Sequence, residues 1–156
     1  MKIEIIESKN VDDITLLVEE VQNLHAGLFP AVYKPFQQEG VKLALENMLS
    51  DDQSKVLIAK SGNVCIGYML IIIKDIPDNA FHYAFRILHI DQIAVLKAYQ
   101  QTGVGSLLIE EAEKMARQLS AKQVELDHLH INTDAANFFK RKAFKPYREK
   151  LFKIVD

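Results

Sequence analysis

Between residues 14 and 28 the apolar positions Ile14, Leu17, Val18, Val21, Leu24 and Leu28 recur at spacings of three and four, one stripe of a helix. Asn10 is placed to cap that helix, Asp13 falls in its acidic first turn, and Gly27 to Pro30 ends it. Ahead of it, residues 2–7 alternate as a short first strand. Beyond the break at Pro35, residues 37–49 predict a second helix through Val41, Leu45, Met48 and Leu49. The period then falls to two. Residues 55–60 and 64–74 flank the turn Ser61-Gly62-Asn63 and predict a hairpin, its second strand apolar on both faces and therefore central in a sheet. Gly67 within that strand marks a bulge or a close backbone approach. Residues 85–95 predict the next strand, followed by a loop at 96–102 and a helix whose apolar face is Val104, Leu107, Leu108, Ala112, Met115, Ala116 and Leu119. Residues 122–131 read as a strand, 134–142 as a short helix, and 147–155, behind Pro146, as a last strand.

No repeat or linker interrupts this alternation, and 156 residues make about one domain, so residues 1–156 are read as a single α+β unit: a mixed sheet with helices on both faces, in α/β/α layers. The 19 basic and 21 acidic residues nearly cancel to a formal charge of -2, which argues against a nucleic-acid binder. Cys65 stands alone, so no internal disulfide and no thiolate zinc cage is expected, and a reducing compartment is favoured. Glu4 and Glu7 break the apolar core a signal peptide needs, and the longest apolar stretch, residues 64–73, is about half the length that crosses a bilayer. A soluble, cytoplasmic protein without a membrane or metal partner is expected.

Chemistry concentrates in Gln100-Gln101-Thr102-Gly103-Val104-Gly105, where two glycines and a Thr open a helix. Backbone amides there lack intrahelical partners and the helix dipole favours an anion, so this is a candidate phosphate seat. A nucleotide-triphosphatase loop is excluded because no Lys follows the second glycine. A dinucleotide fingerprint lacks its third glycine, since Leu108 stands there, and seven residues separate Val95 from Gly103 where a tight turn is required. Asp127, about twenty residues on, fits a ribose-binding acid and keeps the dinucleotide reading as an alternative.

Gln100-x-x-Gly103-x-Gly105 after a strand and before a helix resembles the signature of the GNAT superfamily of acetyl-CoA-dependent N-acetyltransferases. A second segment, Asn132, Ala135, Phe138, Phe139, Ala143 and Phe144, is similar without gaps to the family's Asn-x-x-Ala-x-x-Phe-Tyr followed by Gly-Phe. The resemblance implies a central mixed, mainly antiparallel sheet, with acetyl-CoA as co-substrate. Its pyrophosphate would lie on the amides of Gln100, Gln101, Thr102, Gly103, Val104, Gly105 and Ser106. Its pantetheine would pair with Ile93, Ala94 and Val95 as an added strand, and Asn132 and Asn137 match positions near the cofactor. For the two Asn residues, helix capping or surface exposure is the competing account.

The resemblance further implies direct acetyl transfer to an amine inside a ternary complex, with a general base on the strand carrying Asp91 and His89. Asp91 is favoured by family position and His89 because imidazole is the side chain suited to base work at neutral pH. The two lie two residues apart and so face one side of the strand. Phe139 stands where the family's general acid, a Tyr, is expected, so a degenerate CoA-binding module is the second alternative. A small-molecule or peptide amine is the expected acceptor, and a homodimer a possible assembly. Cys65 reads as core packing. His128 and His130 share a strand face but lack the further ligand that zinc needs.

Overall fold

The computed structural model describes residues 2–155. Five strands, β1 (Ile3–Glu7), β2 (Ser54–Ser61), β3 (Val64–Ile76), β4 (Phe85–Val95) and β5 (Gln123–Leu126), form one sheet in the order β1-β2-β3-β4-β5. The first three pairings are antiparallel and β4–β5 is parallel, which gives the mixed, mainly antiparallel sheet, with the doubly apolar β3 at its centre. The helices are α1 (Asp12–Thr15), α2 (Val18–Leu28), α3 (Gln38–Leu49), α4 (Val104–Gln118) and α5 (Thr133–Arg141).

Strand alternation sorts the core into two layers. On one face Leu57, Ala59, Met69, Ile71, Leu88 and Ile90 pack under α4 and against Phe139 of α5. On the other, Val56, Ile58, Tyr68 and Leu70 meet Ile14, Leu17, Val18, Leu45 and Leu49 of the first three helices and their junction. No helix among the described residues is long and apolar enough to cross a membrane.

Three sequence expectations need correction. The first helix is not continuous. Asn10 Oδ1 accepts from the Asp12 N–H at 3.1 Å in a turn just ahead of it, but the cap position is Val11, without a side-chain cap bond, and the Thr15 hydroxyl donates to the Val11 carbonyl at 2.7 Å. Such back-bonding bends helices, and the chain breaks at residues 16–17 before α2 begins. The strand predicted over 122–131 is only the four residues of β5, because its neighbour β4 pairs with it no further than Ile90. The last strand, predicted over 147–155, does not form. Alternation supplies a strand's pattern but not its partner, and this segment has none.

Candidate active site

A bulge in β4 sets the geometry. Ile71 pairs with Ile90 and Leu70 with Gln92, so Asp91 is an extra residue in the ladder. Past it, Ile93 and Val95 pack toward α4, while Ala94 and Leu96 pack toward the first three helices. Tyr68, fully buried, donates its hydroxyl to Gln92 Oε1 at 2.8 Å. Burial, and then the charge of Asp91, push the Tyr68 phenol well above its ordinary pKa, which keeps it a neutral donor.

Asp91 is exposed at the bulge, close enough for its charge to act on Tyr68. His89 alternates with Leu88 and Ile90, which face α4, so it faces the side of the first three helices. There its Nδ1 lies 3.1 Å from Glu125 Oε1, and Lys74 Nζ lies 4.0 Å from the same oxygen. His89 thus sits where β4 is still paired with β5, and Asp91 sits where that pairing ends.

Beyond Ile90 the two strands part. The β5 ladder stops at Leu126, while β4 continues to Val95 with no neighbour on that side among the described residues. The Leu96 N–H donates to the Ile66 carbonyl across the β3 side. By the alternation of an antiparallel ladder, Ala94 turns its peptide groups toward β3, and Ile93 and Val95 turn theirs into the open notch. The Val95 carbonyl is already taken by the Gln100 carboxamide at 3.0 Å. The groups left to an incoming extended ligand are the Ile93 N–H and C=O and the Val95 N–H.

The notch runs into the glycine loop. After a single 3-10 turn (Lys97–Tyr99), Thr102 Oγ1 donates to the Tyr99 carbonyl at 2.6 Å, and Gln101 and Gly103 take φ of 60° and 92°. Gly103 is therefore required by its left-handed backbone just before α4. The first backbone bond across this end is Leu107 N–H to Gly103 C=O at 3.1 Å. The amides of Gln101, Thr102, Gly103, Val104, Gly105 and Ser106 donate to no acceptor among the described residues. Six free N–H groups at a helix N-terminus are a ready anion site. Gly105 serves packing as well, since a Cβ there would lie 3.0 Å from the Phe138 ring. The loop is also tied to α2, where Glu20 Oε2 accepts from the Lys97 N–H at 3.0 Å.

Asn132 caps α5, its Oδ1 accepting from the Ala135 N–H at 3.2 Å, and Asn137 is exposed on the same helix. Phe139 is buried, with ring centroids of Phe138, Phe144 and His128 at 5.2, 5.7 and 6.1 Å. Burial pushes the Cys65 thiol up, so it stays protonated and is a poor nucleophile. Sequence reasoning missed Tyr68, Gln92 and Glu125. Gln92 next to Asp91 in β4 and Glu125 in the alternating β5 were the available signals.

Residues 18–144 match the model of the acetyltransferase (GNAT) family, well over half of the chain, and the chain belongs to that family. No curated protein matches the chain significantly. Among solved structures, the tetramutant of the BH1408 protein from Bacillus halodurans superposes with a TM-score of 0.90 at 15% identity, covering 99% of this chain and 100% of that one. The aminoglycoside N-acetyltransferase AAC(6')-Iy in complex with CoA gives 0.73 at 17% identity, over 99% and 95% of the two chains. The ribosomal-protein-alanine N-acetyltransferase of Brucella melitensis gives 0.69 at 14%, over 98% and 100%. At these identities the likeness is one of fold.

Proposed function

We propose that this chain is an acetyl-CoA-dependent N-acetyltransferase that passes an acetyl group directly to a primary amine. The observation that carries the reading is the unpaired β4 edge at Ile93–Val95 leading into six unpartnered amides at the start of α4. An extended pantetheine amide chain matches the first and a pyrophosphate the second. A CoA complex of an aminoglycoside N-acetyltransferase with this fold supports the pairing of ligand and cleft.

In the reaction the amine nitrogen forms a bond to the thioester carbonyl carbon and the carbon–sulfur bond breaks. The ammonium proton must leave first, and Asp91 is the assigned base, acting directly or through water, because it is exposed where the notch opens. His89, held by Glu125 beside the paired part of β4, is the weaker candidate. The Ile93 N–H faces the developing oxyanion. With Phe139 buried and lacking a hydroxyl, the departing thiolate takes its proton from water; at a thiol pKa of about 8.5 it leaves without an acid's help.

Gly103→Asp places a carboxylate on the anion seat and is expected to abolish CoA binding by calorimetry; unchanged affinity refutes the assignment. Acetyl-CoA at a hundredfold excess over its Kd should raise Tm by roughly 5–10 °C, and NAD should not. On an amine panel, Asp91→Asn should lose the neutral-pH rate and His89→Ala should keep most of it. A chain that binds acetyl-CoA yet releases no thiol with any amine is instead a CoA-binding module.

A further inference from the structure

Two consecutive residues of β4 share one face. Ile90 and Ile93 both pack into the layer under α4, and a regular strand would leave a single residue between neighbours on that face. The bulge leaves two. Asp91 and Gln92 therefore stand side by side toward the first three helices, their Cα atoms about 3.8 Å apart. Tyr68 of β3 is fully buried in that same layer, with its hydroxyl 2.8 Å from Gln92 Oε1. That hydrogen bond fixes the direction of the Gln92 carboxamide. The phenol has one proton to donate and no other acceptor among the described residues, so Oε1 faces it and Nε2 faces away. Nε2 in turn donates to no acceptor among them, and none of their buried side-chain nitrogens lacks a partner, so Nε2 opens to solvent. Burial, which raises the Tyr68 pKa, keeps the phenol a donor at every working pH, so the carboxamide holds its direction.

We propose that Gln92 is a specificity-determining residue of the acceptor site, its Nε2 donating to an oxygen of the acceptor while the neighbouring Asp91 serves the reacting amine. Tyr68 is the positioning residue that aims it. The inference rests on the transferase reading and narrows its substrate class. Adjacent side chains on one face serve groups a few ångströms apart, so the acceptor is a primary amine with an ether, hydroxyl or carbonyl oxygen roughly two carbons from the nitrogen. Amino alcohols, amino ethers and amino-acid amides have that form. An amine of the same shape without the oxygen strips water from Nε2 and leaves it unpartnered, and that loss is what discriminates.

The test compares kcat/KM for 2-methoxyethylamine and n-butylamine, which share one shape and differ by an ether oxygen in place of a methylene. Their unequal basicity cancels when the ratio of the two in a variant is divided by the ratio in the wild type. Gln92→Leu removes the donor and should lower that ratio about tenfold. Gln92→Glu turns an acceptor toward the ether oxygen and should lower it at least as far. Tyr68→Phe frees the carboxamide to turn and should lower it about threefold, whereas a purely structural role for the phenol would slow both amines alike. Calorimetry on each variant should return the wild-type Kd for acetyl-CoA, since neither residue borders the glycine loop. A ratio unchanged in Gln92→Leu or raised in Gln92→Glu overturns the role of Gln92, and one unchanged in Tyr68→Phe overturns that of Tyr68. Wild-type turnover confined to amines without such an oxygen overturns the substrate class alone. A wild type that acetylates no amine of the panel defeats the transferase reading itself, and this inference with it.

Discussion

Gly67→Ala tests the packing that shapes the notch. Gly67 lies opposite Val95 in the β3–β4 ladder, and a Cβ added there would come 2.9 Å from the Ala94 carbonyl oxygen, 3.3 Å from Val104 Cγ1 and 3.4 Å from Val95 Cα. The first and last are backbone in the strand that borders the notch, and Val104 is the buried first residue of α4. None is a free side-chain end, so the strand must shift. Overpacking of this kind costs about 1–3 kcal/mol, and the stiffer unfolded chain returns about 0.4–1 kcal/mol. The net loss is roughly 1–2 kcal/mol, which for a domain of this length lowers Tm by roughly 2–8 °C. Because Ala94 and Val95 are displaced, acetyl-CoA affinity should fall as well. Gly62→Ala is the control. Gly62 has φ 60° and open space around it, so Ala there meets backbone strain of about 1 kcal/mol without touching β4, and acetyl-CoA affinity should hold. Thermal melts with and without acetyl-CoA separate the two. If Gly67→Ala melts at or above the wild type, the close-approach argument is wrong.

Two further predictions concern the helices. Ala143 takes φ 63° where α5 ends, its N–H donating to the Lys140 carbonyl and the Phe144 N–H to that of Phe139. That left-handed position suits glycine, so Ala143→Gly should stabilise by about 0.5–1 kcal/mol in chemical denaturation; a lower midpoint would contradict it. Burial lowers the His25 pKa from 6.5 because the charged ring is penalised. The unfolded chain therefore binds the proton more readily, so this contribution to stability is full above pH 6.5 and shrinks as the pH falls below it. Tm should drop more steeply on acidification in the wild type than in His25→Gln, and parallel curves would remove His25 as the cause.

The elements legible in the sequence are those whose own apolar period decides them. β4 spans residues 85–95 as predicted, and α4 begins at the Val104 that heads its apolar face, because each carries its burying face within itself. What was not legible depends on partners. The short β5 follows from the bulge at Asp91, which no local pattern encodes, and residues 147–155 alternate correctly without a neighbour to pair with. In the site, Gly103 was legible as part of the anion loop, but its left-handed backbone just before α4 was not. Gly105 was read only as part of the anion loop, yet its missing side chain makes room for Phe138. Phe138 belongs to the second family segment, so the two motifs that stand thirty residues apart in sequence meet in one contact at the start of α4. Their joint presence is then less independent than their separation suggests. The helix whose amides face the notch is held in place by the aromatic residue of α5, and the spacing that identifies the family is in part the spacing that this packing needs.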